Sequence, residues 1–176
     1  LSVKRKLTKI VLSRSSQTTK GYALSRIISI THPEGPDSQK ADIVLRNSDK
    51  ALVSLDFEDY QVVISNGYKT NIARAIWVAN TAYAIDDVRT PTTLNGYQYR
   101  CAVAGTSHAA TEPTWPTDLG VRVTDGTVTW EMDGKTGDEY DRTAPMKVRS
   151  QEFHSGRGIL RCVLHAIGIP DQMKED

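Results

Sequence analysis

Residues 121–130 read Val-Arg-Val-Thr-Asp-Gly-Thr-Val-Thr-Trp, two alternating stretches on either side of an Asp-Gly step. Alternation of apolar and polar residues is typical of a strand that buries one face. An Asp-Gly pair between two such strands is a strong hairpin signal, because both residues tolerate positive φ. We therefore expect a β-hairpin that turns at Asp125-Gly126 and places Val128, Trp130 and Met132 on one face.

The same strand-and-turn pattern continues on the N-terminal side of this hairpin, back to Trp77. Another strand is expected over residues 97–103. One of its faces carries Tyr97, Tyr99, Cys101 and Val103, and the other carries Gln98, Arg100 and Ala102. Residues 71–138 hold eight acidic and five basic residues, whereas residues 1–33 hold seven basic and no acidic ones. We interpret residues 71–140 as a small inserted β module, and residues 1–70 plus 141–176 as the host β domain.

The host domain is predicted to be built from short antiparallel strands. Alternating or dense apolar runs mark these strands at residues 9–12, 27–30, 41–45, 60–64, 146–153 and 159–169. Turn signals lie at Gly21, at residues 32–37 and at residues 47–49. A helix over residues 159–169 is the alternative, and a short C-terminal helix is expected over residues 170–176. The predicted fold class is mainly β, an antiparallel β-sandwich or barrel-like domain interrupted by the module.

The composition limits the possible class of protein. No apolar run approaches the roughly 18 residues needed to span a membrane, and residues 1–9 lack the apolar stretch of a signal peptide. The two cysteines, Cys101 and Cys162, have no metal-binding spacing and are expected to be small buried apolar residues. A chain of this length can fold without a disulfide or a metal. Because it ends inside the expected helix, we expect the sequence to be truncated.

No pattern of residues indicates catalysis, a cofactor or a metal. The four histidines lie outside any metal or acid/base motif, and Asp86-Asp87 is expected to form a solvated turn. Gly156 and Gly158 are typical of a hairpin turn and are not followed by a phosphate-binding glycine motif. The basic N-terminal third contains Tyr22 as its one aromatic residue, which gives little support to nucleic-acid binding. We therefore predict a protein that is not an enzyme.

The aromatic residues of the module are the best candidates for ligand contact. An exposed Trp or Tyr ring can stack on the C–H face of a sugar while neighbouring polar groups take the hydroxyls. Trp77, Tyr99 and Trp130 fall on faces that alternation predicts to be buried. Trp115, in a proline-flanked loop, and Tyr97, after an Asn-Gly step, are the glycan-binding candidates. Packing in the core is the alternative role for both.

The residues of the module also resemble a known family. The resemblance lies in Trp77, Tyr83, Asp87-Val88, Asn95-Gly96, Tyr99-Arg100-Cys101, Ala104-Gly105-Thr106-Ser107, Glu112-Pro113, Trp115-Pro116, Gly120 and the run from Val123 to Trp130. This pattern resembles a short repeat of bacteriophage tail and virion proteins. That repeat is similar to the chitin- and cellulose-type carbohydrate-binding modules of secreted chitinases.

The host domain carries a second resemblance, to the opening β domain of phage tail-tip or baseplate hub proteins. It lies in residues 37–52 and in the stretch that continues to Ile64 and Gly67-Tyr68, with Asp59 where the family has a glycine. The two resemblances imply a virion structural component, made in the host cytoplasm, that forms a trimer, contacts other tail proteins and can touch host polysaccharide. Two alternatives stay open: a carbohydrate-binding module of a cell-wall hydrolase, and a virion decoration or adaptor protein without a ligand.

Overall fold

A computed structural model describes residues 5–35 and 38–168 of the chain. Its strands, in chain order, are β1 (Lys6–Ser13), β2 (Lys20–Ala23), β3 (Ile27–Thr31), β4 (Glu34–Gly35), β5 (Ser38–Arg46), β6 (Gln61–Lys69), β7 (Ala82–Tyr83), β8 (Val88–Arg89), β9 (Tyr97–Val103), β10 (Gly105–Thr106), β11 (Arg122–Asp125), β12 (Val128–Lys135), β13 (Asp138–Arg142), β14 (Met146–Gly156) and β15 (Ile159–Gly168). The mainly β fold with antiparallel sheets is confirmed. The helix expected over residues 170–176 lies outside the described residues.

The chain divides into two compact units, and each includes more than one segment. One unit, which we call the module, consists of Gly67–Tyr140 with Thr19–Gly21 and the chain up to Leu7. The other, which we call the host unit, consists of Thr8–Thr18, Tyr22–Asn66 and the chain from Asp141 onward. Among the described residues, no helix has the length and apolar character that crossing a membrane requires.

The host unit is organised around a long antiparallel hairpin, β14–β15. In the strand order β2-β1-β6-β14-β15-β5-β3, the hairpin lies at the centre, and β4 pairs with β5 and β13 with β6. Residues 159–168 form a strand that pairs with β5 along one side and with β14 along the other. The helix alternative is therefore wrong for these residues. Alternate residues of β5 and β15 are fully buried, among them Ile43, Leu45, Cys162 and Leu164.

Gly21 is not the turn residue that the sequence suggested. It lies inside β2, and the reversal of the chain before it occurs at residues 14–17, where Gln17 N donates to Arg14 O and Ser16 has a φ of 66°. A Cβ at Gly21 would lie 2.3 Å from the backbone oxygen of Leu119. The glycine therefore permits a close backbone approach within the module.

The module contains a four-stranded sheet in the order β11-β12-β9-β8 and a small pair, β7–β10. Its core is mostly aromatic: Trp77, Tyr83, Tyr99, Cys101, Val128, Trp130 and Met132 are buried. The predicted core roles of Trp77, Tyr99 and Trp130 are confirmed. Both cysteines of the chain are free and buried, as the sequence predicts.

The hairpin at residues 121–130 forms, but its turn lies one residue later than expected. Asp125 pairs with Val128, so the two central residues of the turn are Gly126 and Thr127. Gly126 has a φ of 64°, whereas Asp125 remains in strand β11. The displacement has a physical cause: the Asp125 side chain points into the core, where it accepts hydrogen bonds.

The second face of β9 is buried by polar groups. Gln98 is 1% exposed, and its side chain donates to Asp133 and to the Asp138 carbonyl. The neighbouring Arg100 donates to Glu131, which is 2% exposed. Strict alternation predicts solvent on this face, but amide and charged side chains cover it. The Gln98 amide and the two terminal nitrogens of Arg100 find partners there, whereas the buried Arg100 Nε has none among the described residues.

Candidate functional site

The centre of the module is organised by the carboxylate of Asp125, which is 3% exposed. Trp77 Nε1 and Trp130 Nε1 both donate to its Oδ2, at 2.7 and 3.0 Å. The backbone N–H of His108 donates to its Oδ1 at 2.8 Å. One carboxylate therefore holds two indole rings and a loop in fixed positions.

The candidate residue Trp115 lies at the edge of this aromatic core and is half-buried. Its ring centroid is 4.3 Å from that of Tyr99 with a tilt of 36°, and 5.8 Å from that of Trp130 in an edge-on arrangement. Such ring pairs add roughly 0.5–1.5 kcal/mol beyond the burial of area. Trp115 thus contributes to packing and is still partly exposed to solvent.

Glu112 fixes the loop that carries Trp115. Its carboxylate accepts the indole N–H of Trp115 at 2.8 Å and the backbone N–H of Thr92 at 2.8 Å. The Thr92 hydroxyl also donates to it. Burial alone would raise the pKa of Glu112, but the hydrogen bonds from Thr92 and Trp115 outweigh it and hold the pKa below its usual range. The Glu112 carboxylate is therefore ionised at neutral pH.

The second candidate, Tyr97, begins strand β9 and is also half-buried against the aromatic core. Its backbone N–H donates to Asn95 Oδ1, and Asn95 Nδ2 donates to the Tyr99 hydroxyl. The Tyr99 hydroxyl in turn donates to the Pro116 carbonyl. This chain of hydrogen bonds joins the loop before Tyr97 to the loop that carries Trp115.

Two partly buried aromatic residues, Trp115 and Tyr97, therefore pack on one apolar cluster, with polar groups of Asn95, Thr92 and Glu112 in the connected loops. Sequence reasoning found the two rings but missed Glu112 and Asn95. Their signal was weak, because Glu112 links Trp115 to Thr92, which is 20 residues away in the chain, and Asn95 acts through the hydroxyl of a buried tyrosine, Tyr99. A rigid ring beside hydrogen-bonding groups can accept the apolar face of a sugar.

The host unit holds a second group of polar side chains that the sequence did not reveal. His165 Nδ1 lies 2.6 Å from Asp42 Oδ1, and His165 Nε2 lies 3.7 Å from Glu152 Oε1. Asp42 and His165 are neighbours across β5 and β15 although they are 123 residues apart in the chain. The histidine is partly exposed. No group able to hold a metal occurs in residues 5–35 and 38–168.

No family model, curated protein or solved structure matches this chain. Its function is therefore inferred from its own residues.

Proposed function

We propose that this chain is a structural component of a bacteriophage tail tip or baseplate, and that it acts by docking and surface contact without bond cleavage. In this proposal, the host unit docks against neighbouring subunits, and the module presents a surface to host glycan. The virion is its proposed location. The docking role is inferred from the exposed tip of the β14–β15 hairpin, residues 152–159.

This hairpin tip extends beyond its neighbouring strands. The register of β15 with β5 ends at Arg161, followed by one backbone hydrogen bond from Asn47 N to Leu160 O. Among the described residues, the backbone hydrogen bonds of β14 with β6 and the residues before it end at Val148. Every residue from 152 to 159 is exposed, including two apolar side chains, Phe153 at 46% and Ile159 at 40%. A projecting hairpin with an unpaired edge and exposed apolar groups is suited to pairing with another chain.

The docking role is tested by replacing Phe153 with serine and measuring self-association of the full chain by light scattering. We expect the association constant to fall about tenfold or more, because a large apolar side chain at the centre of an interface commonly contributes above 1.4 kcal/mol. Val53→Ser is the matched control, since Val53 is 59% exposed elsewhere in the host unit. An equal loss in both variants would contradict a role for the tip.

The glycan role is supported by the way Trp115 is held. Its ring is fixed by Tyr99 and by the hydrogen bond to Glu112, so little side-chain entropy remains to be lost on binding. The partly exposed ring and that of Tyr97 supply the apolar contacts that sugar recognition needs.

Glycan binding is tested on an array of bacterial surface glycans and chitotetraose, followed by titration of the best ligand. We expect Trp115→Phe to weaken binding about fivefold or more, because the smaller ring offers less stacking area and loses its contact with Glu112. Trp77→Phe makes the same chemical change at a buried site and is expected to leave affinity within about twofold. Absence of binding by the wild-type chain to every glycan would contradict this role.

The two tests also separate the alternatives. Glycan binding by a chain that stays monomeric would favour a carbohydrate-binding module of a cell-wall hydrolase. Self-association without glycan binding would favour a decoration or adaptor protein.

A further inference from the structure

The host unit contains two arginines that lie opposite each other on neighbouring strands, and no described residue serves as a counter-ion for either. Arg46 of β5 and Arg161 of β15 are direct partners in the antiparallel register. Neither guanidinium has a hydrogen bond or ion pair with the described residues. His154 lies opposite Arg161 in the same row, and its Nε2 is 2.9 Å from Glu152 Oε2, so the unbalanced charge of the row is that of the two arginines. Like charges directly opposite one another destabilise a sheet. An arrangement that concentrates positive charge in this way is favourable once an anion lies over it.

A cavity of about 300 Å³ adjoins this row, lined by Ser25, Arg26, Arg46, Ser48 and Asp49. The two serines are exposed, and their hydroxyls make no hydrogen bond to any described residue. The cavity therefore combines two hydroxyls that can donate hydrogen bonds to a ligand with the positive charge of its arginines.

The one carboxylate of the cavity is already neutralised. Asp49 accepts two hydrogen bonds from the Arg26 guanidinium, at 2.8 and 2.6 Å, and the pKa of Asp49 falls to about 2 mainly because of this contact. Arg26 also donates to the Arg46 carbonyl at 3.1 Å, which fixes the turn after β5 against the turn before β3. The charge left unbalanced in the lining is that of Arg46.

We propose that this cavity binds a phosphate group, held by Arg46 with Arg161 beside it and by the hydroxyls of Ser25 and Ser48. A guanidinium presents a planar pair of donors that matches two oxygens of a phosphate or a carboxylate. Two guanidiniums and two hydroxyls supply more donors than the two oxygens of a carboxylate can accept. A tetrahedral dianion with four oxygens satisfies all of them.

This inference does not rest on the proposed function, because the cavity belongs to the host unit and the glycan candidates to the module. The ligand chemistry is a phosphate group, either free or esterified to a larger molecule. Inorganic phosphate and methyl phosphate are therefore the probes that distinguish the two sources.

The test is a titration of the full ¹⁵N-labelled chain with inorganic phosphate, at ionic strength held constant with sodium chloride. We expect saturable shifts of the amide signals of Ser25, Ser48 and Asp49. Arg46→Gln is expected to weaken binding about fivefold, the loss typical of one solvent-exposed charged contact. Arg161→Gln is a second variant in case Arg46→Gln disturbs the fold, which the dispersion of the amide signals would reveal.

Lys40→Gln is the matched control. It removes the same charge from the same strand, six residues from Arg46 and so about 20 Å away. Shifts that do not saturate, or an equal loss of affinity in Lys40→Gln, would overturn the proposal. Tighter saturable binding of methyl phosphate than of inorganic phosphate would identify an esterified group as the ligand, and binding of inorganic phosphate alone would identify the free ion.

Discussion

Replacing Asp125 with alanine is expected to lower the free energy of unfolding of the module by about 4 kcal/mol. The indole N–H groups of Trp77 and Trp130 and the backbone N–H of His108 would all lose their acceptor inside the core. A hydrogen bond to a charged group contributes roughly 1.5–3 kcal/mol, and a buried donor left unpaired adds its own desolvation cost. All three tryptophans of the chain lie in the module, so urea unfolding followed by tryptophan emission reports this change.

Two further variants serve as comparisons for Asp125→Ala. Asp118→Ala removes an exposed carboxylate from the same module and is expected to change stability by less than about 0.5 kcal/mol. Asp125→Asn keeps one acceptor oxygen and is expected to fall between alanine and wild type. A loss below about 1 kcal/mol in Asp125→Ala would show that the carboxylate does not organise the core.

Leu45→Ala is expected to destabilise the host unit by about 3 kcal/mol. Leu45 is fully buried in β5, with Cys162 of β15 and Ile27 of β3 as its cross-strand neighbours. Truncating a buried leucine removes transfer free energy and leaves a cavity, at a total cost of about 2–5 kcal/mol. Urea unfolding followed by far-ultraviolet circular dichroism measures the effect, because most strands of the chain contribute to that signal.

Leu24→Ala provides the control for this substitution. Leu24 is 48% exposed in the same unit, so the same chemical change should cost less than about 0.5 kcal/mol. Similar midpoints for the two variants would contradict the position of Leu45 in the core.

Much of the strand content could be predicted because period-two alternation records which face is buried. The stretches around Ile43, Val148 and Leu164 all follow this rule and all form strands. The rule failed for the second face of β9, where Gln98 and Arg100 are covered by distant polar partners. Alternation identifies apolar surface but carries no information about complementary charge from elsewhere in the chain.

Turn-forming residues predicted that the hairpin forms, but they did not predict the position of its turn correctly. The Asp-Gly step marked a real hairpin, but its aspartate serves as an acceptor for two tryptophans, which displaced the turn by one residue. Gly21 resembled a turn residue and instead allows the backbone of Leu119 to approach. Both errors involve a contact between residues far apart in the chain, Asp125 with Trp77 in the first case and Gly21 with Leu119 in the second. The domain boundaries at residues 70 and 140 and the glycan role of Trp115 and Tyr97 stay predictions.

If this chain is an assembly component, as we propose, its mass in solution exceeds that of one chain. Light scattering of the full chain at increasing concentration is predicted to give a species of three times the 19.5 kDa chain mass, which Phe153→Ser shifts towards the monomer. A mass of 19.5 kDa at the highest concentration reached would contradict the self-associating hub.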